Sequence, residues 1–120
     1  MRRVFFLSLF FLLVLLLNAQ TTPTHSVLLN WVASSDASTS NPVTYNVGRA
    51  SGACASGQTF TAVTSGLMVT TYKDTTVTGG QDYCYQVSAE GSNGALSVNN
   101  PTVTAAVPPF PATSLTASSQ

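Results

Sequence analysis

Charge is what this sequence lacks. Asp, Glu, Lys and Arg make up 7% of its 120 residues, and four basic side chains stand against four acidic ones. A nucleic-acid-binding chain needs clustered Lys and Arg to neutralise phosphates, so that class of partner is excluded. Histidine is nearly missing too: His25 is the only one. With two cysteines distant from it in sequence, it does not make a four-ligand metal set. No Gly-x-Ser-x-Gly elbow occurs, and there is no phosphate-binding glycine loop, Arg-Gly-Asp tripeptide or Asn-x-Ser/Thr acceptor. Asp74 with Asp82 supplies too few converging oxygens for calcium. These two flank a turn, where short acidic side chains commonly bond nearby backbone amides. Asp36 falls in a loop and Glu90 at a reversal, and His25 is expected to be solvated. No nucleophile, base and acid come together in the sequence, so no enzyme, cofactor or metal is expected.

What the chain has instead is apolar and small polar residues. Hydrophobic residues account for 44% of it, which separates it from disordered chains. Met1-Arg2-Arg3 is a short positive start, Val4 to Leu17 is an apolar run broken only by Ser8, and Asn18-Ala19-Gln20 is a polar exit. That is the layout of a secretory signal helix over 1–19, cleaved near Ala19. A spanning helix needs about 20 apolar residues, so an uncleaved anchor is the alternative, and would be the chain's only membrane contact. Arg2-Arg3 resembles a twin-arginine start, but the short positive region and strong apolar run favour the general secretory route. No Cys precedes Cys54, which argues against a lipid anchor. The expected location is secreted or periplasmic. After cleavage Arg49 and Lys73 stand against Asp36, Asp74, Asp82 and Glu90, a net charge of −2. In an oxidising compartment Cys54 and Cys84 read as a disulfide, with two free thiols as the alternative.

Strands follow from period-two patterning. His25 to Trp31 alternates Val27, Leu29 and Trp31 against polar and apolar neighbours, with Trp31 as a core anchor. Val32 to Pro42 reads as a loop. Val43 to Arg49 places Val43, Tyr45 and Val47 on one face. Ala50 to Gln58 is a loop, Thr59 to Val63 a short strand with Phe60 or Val63 inward, Thr64-Ser65-Gly66 a turn, and Leu67 to Lys73 the next strand. Asp74 to Asp82 turns into Tyr83 to Ala89, where Tyr83, Tyr85 and Val87 share a face. Glu90 to Gly94 is a reversal, Leu96 to Val107 the last strand with an irregularity at Pro101, and 108–120 a Pro-rich linker and tail. No segment after residue 20 has helical periodicity. The fold class is all-β, an antiparallel sandwich of about six or seven strands.

In order and spacing these residues resemble a fibronectin type III domain, an immunoglobulin-like sandwich; the match covers about Ser26 to Pro108, and the domain is placed at 20–107. The resemblance rests on Val27-x-Leu29-x-Trp31 as the B strand and Tyr45-x-Val47-x-Arg49 as the C strand. It continues with Tyr72-x-Asp74 closing the E strand, and Val77-x-Gly79-Gly80-x-x-Tyr83-x-Tyr85-x-Val87-x-Ala89 as the E–F turn and F strand. It implies a core of Trp31, Tyr45, Val47, Tyr72, Val77, Tyr83, Tyr85 and Val87. It also implies a tyrosine corner in which the Tyr83 hydroxyl bonds the backbone upstream. Cys84, on the opposite face from Tyr83, would then tie the loop at Cys54 across the outside of the sheet as a surface staple, with Gly48 leaving room for the bridge.

The resemblance also implies a first strand that this chain has little room for. Pro108 to Ala117, with Leu115 and Ala117, is similar to the linker and first strand of a following domain, at the other end of the chain. The tail is therefore expected either to be frayed, to fold back onto its own sheet edge, or to be donated to another copy. The implied role is a non-catalytic binding or structural module with an unidentified protein or cell-surface partner, carried by the loops Val32 to Pro42 and Glu90 to Ala95 or by a sheet edge. Self-assembly through the C-terminal strand and an accessory module of a carbohydrate-active enzyme are the alternatives.

Overall fold

A computed structural model describes residues 24–120. The expected signal helix and its cleavage point lie outside the described residues. Six strands form: β1 (Val27–Asn30), β2 (Val43–Ser51), β3 (Thr61–Leu67), β4 (Thr71–Asp74), β5 (Asp82–Gly91) and β6 (Thr102–Ala106). All pairs are antiparallel, and they make a two-stranded sheet β1-β4 and a four-stranded sheet in the order β3-β2-β5-β6. Among the described residues there is no helix. The all-β antiparallel sandwich read from the alternation is what forms.

The two sheets meet over Leu29, Val47, Val77, Tyr83, Tyr85 and Val107, with Val27, Trp31, Val63, Leu67, Tyr72, Val87 and Ala105 packed around them. Period two is visible within β1: Leu29 is buried while Leu28 faces solvent. Tyr45 is buried and meets the Trp31 ring edge-on at 5.6 Å. Its hydroxyl accepts the Ser34 N–H at 2.8 Å, which holds the start of the Val32 to Pro42 loop.

Two boundaries differ from expectation. Thr64-Ser65-Gly66 is not a turn but part of β3. Gly66 adopts φ +70°, its N–H bonds Asn46 Oδ1 at 2.9 Å, and the β2–β3 register shifts on both sides of Val47. The glycine therefore makes an irregular strand rather than a reversal. The chain turns later, around the exposed Met68 and Val69, so β4 starts at Thr71. The last strand is also shorter than Leu96 to Val107. Leu96 makes one isolated bridge to Glu90, and regular pairing begins only after Pro101, which has no N–H to give the ladder.

Phe60 and Val63 divide the two faces between them. Val63 packs on the core, whereas Phe60 lies over Gly48, where a Cβ would stand 2.9 Å from the Phe60 Cβ. Gly48 thus makes room for Phe60 and not for the disulfide: its partner across the sheet is Gln86, while Cys84 faces Ala50.

The expected solvated His25 is also corrected. Its ring is stacked under Phe110, centroids 4.0 Å apart, and a Cβ at Gly79 would collide with it. Its Nε2 is buried without a hydrogen-bond partner. Beyond this clasp, 111–120 form no strand; Leu115 is 97% exposed and Ala117 is exposed too. The tail does not fold back onto its own sheet. Among the described residues β1 has β4 as its single neighbour, so its other edge is open.

Candidate functional site

Three groups of side chains carry chemistry, and the strands position each. The first is the corner before β5. The Tyr83 hydroxyl accepts the Thr78 N–H at 3.0 Å, which pins the turn to the strand it feeds. That backbone donor holds the phenol below its ordinary pKa. Arg49, on the same face of β2 as Tyr45 and Val47, places its guanidinium 4.9 Å from the centre of the Tyr83 ring.

From there Arg49 reaches the second group, centred on Asp74 at the end of β4. Asp74 is completely buried. Its Oδ2 is 2.7 Å from Arg49 Nη1 and accepts the Tyr85 hydroxyl at 2.8 Å. Its Oδ1 accepts the Thr76 N–H and hydroxyl at 2.8 and 2.7 Å. Burial pushes the Asp74 carboxyl up, but the donors of Thr76, Tyr85 and Arg49 outweigh it, so the group stands below the usual carboxylate range. Burial opposes the Arg49 charge as well, and its bond to Asp74 overcomes that and raises it. Burial and the adjacent carboxylate push Tyr85 far up, so it stays a donor. Every oxygen of Asp74 is thus committed to holding β2, β4, β5 and the following turn together. This cluster serves the fold.

The sequence carried a signal for it that turn chemistry alone obscured. Arg49 continues the inward alternation of Tyr45 and Val47, and an inward Arg requires a buried acceptor. Asp74 does bond a nearby backbone amide, as its place beside a turn predicts, but it does more: it also receives Arg49 and Tyr85. Asp82 remains exposed at the start of β5.

The third group is the disulfide. Cys54 and Cys84 are bonded across 30 residues of sequence. It is only partly a surface staple, because Cys54 is half-buried in the loop while Cys84 is fully buried. It sits between Ala50 of β2 and Thr104 of β6, and the loop after β2 folds over it. The Cys54 N–H bonds Thr104 Oγ1 at 2.9 Å, and the Gln58 side chain braces the loop through Ala53 and Ala55.

What is left for function is surface. At one pole the loops Val32 to Pro42 and Glu90 to Ala95 border a shallow cleft lined by Ser34, Asp36, Asn41 and Asn93. Their polar groups largely bond one another, as in Asn41 N–H to Ser38 Oγ and Asn41 Nδ2 to the Asp36 carbonyl. Along one side, by contrast, the sandwich is open between β1 and β6. Leu29, Trp31, Tyr85, Val87, Pro101 and Val103 line a cleft there of about 130 Å³. Val32 and Val98 extend its rim and are 93% and 82% exposed. Trp31 Nε1, in its wall, is buried with no hydrogen-bond partner.

The chain is similar to a solved structure, a Fn3-like protein from Clostridium thermocellum. The two chains are 31% identical, with a TM-score of 0.54 over 72% of this chain and 81% of the other. This chain belongs to the fibronectin type III-like family. No family model matches the sequence, and no curated protein matches it either. The fibronectin type III-like identity accounts for the tyrosine corner. The fold is usually non-catalytic, and it hosts many unrelated roles, so function has to be argued from the surface.

Proposed function

We propose that this protein is an exported, non-catalytic interaction module that binds a protein or cell-surface component through the open side between β1 and β6. The observation that carries this reading is the exposed apolar rim of Val32, Val98 and Val103 around a strand edge that has no partner among the described residues. Contiguous exposed apolar surface and unpaired edges are the features that proteins use for association. The internal commitment of Asp74 and Arg49 supports the same reading, because the most strongly coupled charges hold the fold together. The buried disulfide fits an oxidising compartment, and the signal-like start of the sequence fits export. The polar loop cleft is less suited, since its groups already satisfy one another.

Co-sedimentation of the labelled, processed chain with the cell-envelope fraction of producing cells tests this. The native protein is expected to bind, and Val32→Asp with Val98→Asp to weaken binding at least about tenfold, since each puts a charge into an apolar contact. No binding, or binding indifferent to both substitutions while loop changes abolish it, overturns the reading.

A further inference from the structure

We infer that the open side receives the C-terminal tail of a second copy of this chain, so that copies join head to tail. The inference deepens the proposed interaction role and rests on it. Three observations support this. First, β1 offers Val27–Asn30 as an edge with no partner among the described residues. Unpaired N–H and C=O groups are a template for one more strand. Second, the cleft beside that edge is lined by uncharged residues, and 108–120 contain no charged residue either. An uncharged tail enters such a cleft without the cost of burying a charge. Third, the cleft, of about 130 Å³, is open to solvent and lined mainly by apolar side chains, so it can admit an apolar side chain. Leu115 is that side chain, 97% exposed in its own copy.

Geometry selects a second copy over the tail's own domain. The tail leaves beside His25, at the end where β1 begins, and is clasped there by the His25–Phe110 stack. Turning back from that end, it would run parallel to β1. A tail from another copy enters at the opposite end, by Asn30 and Trp31, and runs antiparallel, the more stable pairing. With Ala112 to Ala117 extended at about 3.3 Å per residue, the segment spans the four residues of β1. Because donor and acceptor surfaces differ, the contact does not close on itself in pairs but extends into chains.

Sedimentation velocity of the processed chain tests this from on the order of 10 μM to 1 mM, the range suited to a small interface. Circular dichroism of each variant checks that it is folded. The native chain is expected to rise to dimers and longer species, whereas Leu115→Asp, Val103→Asp and a chain ending at Pro111 stay monomeric. Mixing the chain ending at Pro111, which keeps an open cleft, with Val103→Asp, which keeps a tail, is expected to restore heterodimers that grow no further. A monomeric native chain at the highest concentration overturns the inference. So does association that persists without the tail, or a mixture that stays monomeric. If the native chain is monomeric yet envelope binding is lost in the Val32 and Val98 variants, self-association fails and the interaction role stands.

Discussion

Replacing Asp74 by alanine is expected to destabilise the domain by about 3–5 kcal/mol, the cost of leaving a buried partner charge uncompensated. Asp74 is fully buried and receives Arg49, Tyr85 and two groups of Thr76. Alanine strands all of them. At several degrees per kcal/mol in a domain this small, the melting temperature should fall by more than about 12 °C. Tyr85→Phe removes one donor and leaves the others, so its effect should be smaller, about 1.5–3 kcal/mol for a hydrogen bond to a charged group. The same centre shapes the acid limb of stability. Because the folded carboxyl lies below its unfolded value, its contribution is present above about pH 4 and is lost as pH falls through the folded pKa. Asp74→Asn should flatten that limb. Tyr85 is shifted the other way, so its contribution holds below about pH 10 and is lost as pH rises beyond it. Thermal melts from acid to alkaline pH check these signs. An Asp74→Ala variant within about 1 kcal/mol of the native protein would refute the buried-network account.

Opening the Cys54–Cys84 bridge is expected to cost about 3–4 kcal/mol, from the entropy released to a loop closed across 30 residues of sequence. That is a large share of the ~5–15 kcal/mol typical of a folded domain. Burial adds a kinetic expectation. Cys84 is fully buried and Cys54 is half-buried in the loop after β2, so attack at Cys84 waits on that loop lifting and attack at Cys54 is partly screened. Reduction should therefore be slow in native buffer and much faster in moderate urea, with the β-sheet spectrum retained afterwards. Melting curves with and without reductant, together with thiol titration against time, measure both. An unchanged melting curve, or a bridge reduced equally fast with and without urea, would show that the linkage is neither stabilising nor shielded.

The two effects concern parts that differed in legibility. Alternation in Val27 to Trp31, Tyr45 to Arg49 and Tyr83 to Ala89 showed the sandwich, because period two survives wherever a strand has one buried face. The corner at Tyr83 was visible because its spacing is local. Asp74 was harder, since a turn-flanking acid is usually solvated and only the tertiary fold brings Arg49 and Tyr85 to it. The shielding of Cys84 depends on a loop crossing back over the sheet, which no strand pattern encodes. Gly66 misled because a glycine with positive φ serves a bulge as readily as a turn. His25 misled because its cover, Phe110, comes from the far end of the chain. The open side was foreshadowed by the little room the sequence leaves for a strand before Val27, while the cleft of Trp31, Val87 and Val103 emerged only when β1 was set beside β6.

The proposed working surface is the open side, and amide hydrogen exchange tests that most directly. Exchange should be followed in the processed chain at low and high concentration and with the envelope fraction. Residues 27–32 and 98–103 are predicted to gain protection in the associated state, with 112–117 gaining it too at high concentration. Protection confined to the Val32 to Pro42 and Glu90 to Ala95 loops beyond those residues, with the β1 edge exchanging as freely as before, would contradict the account.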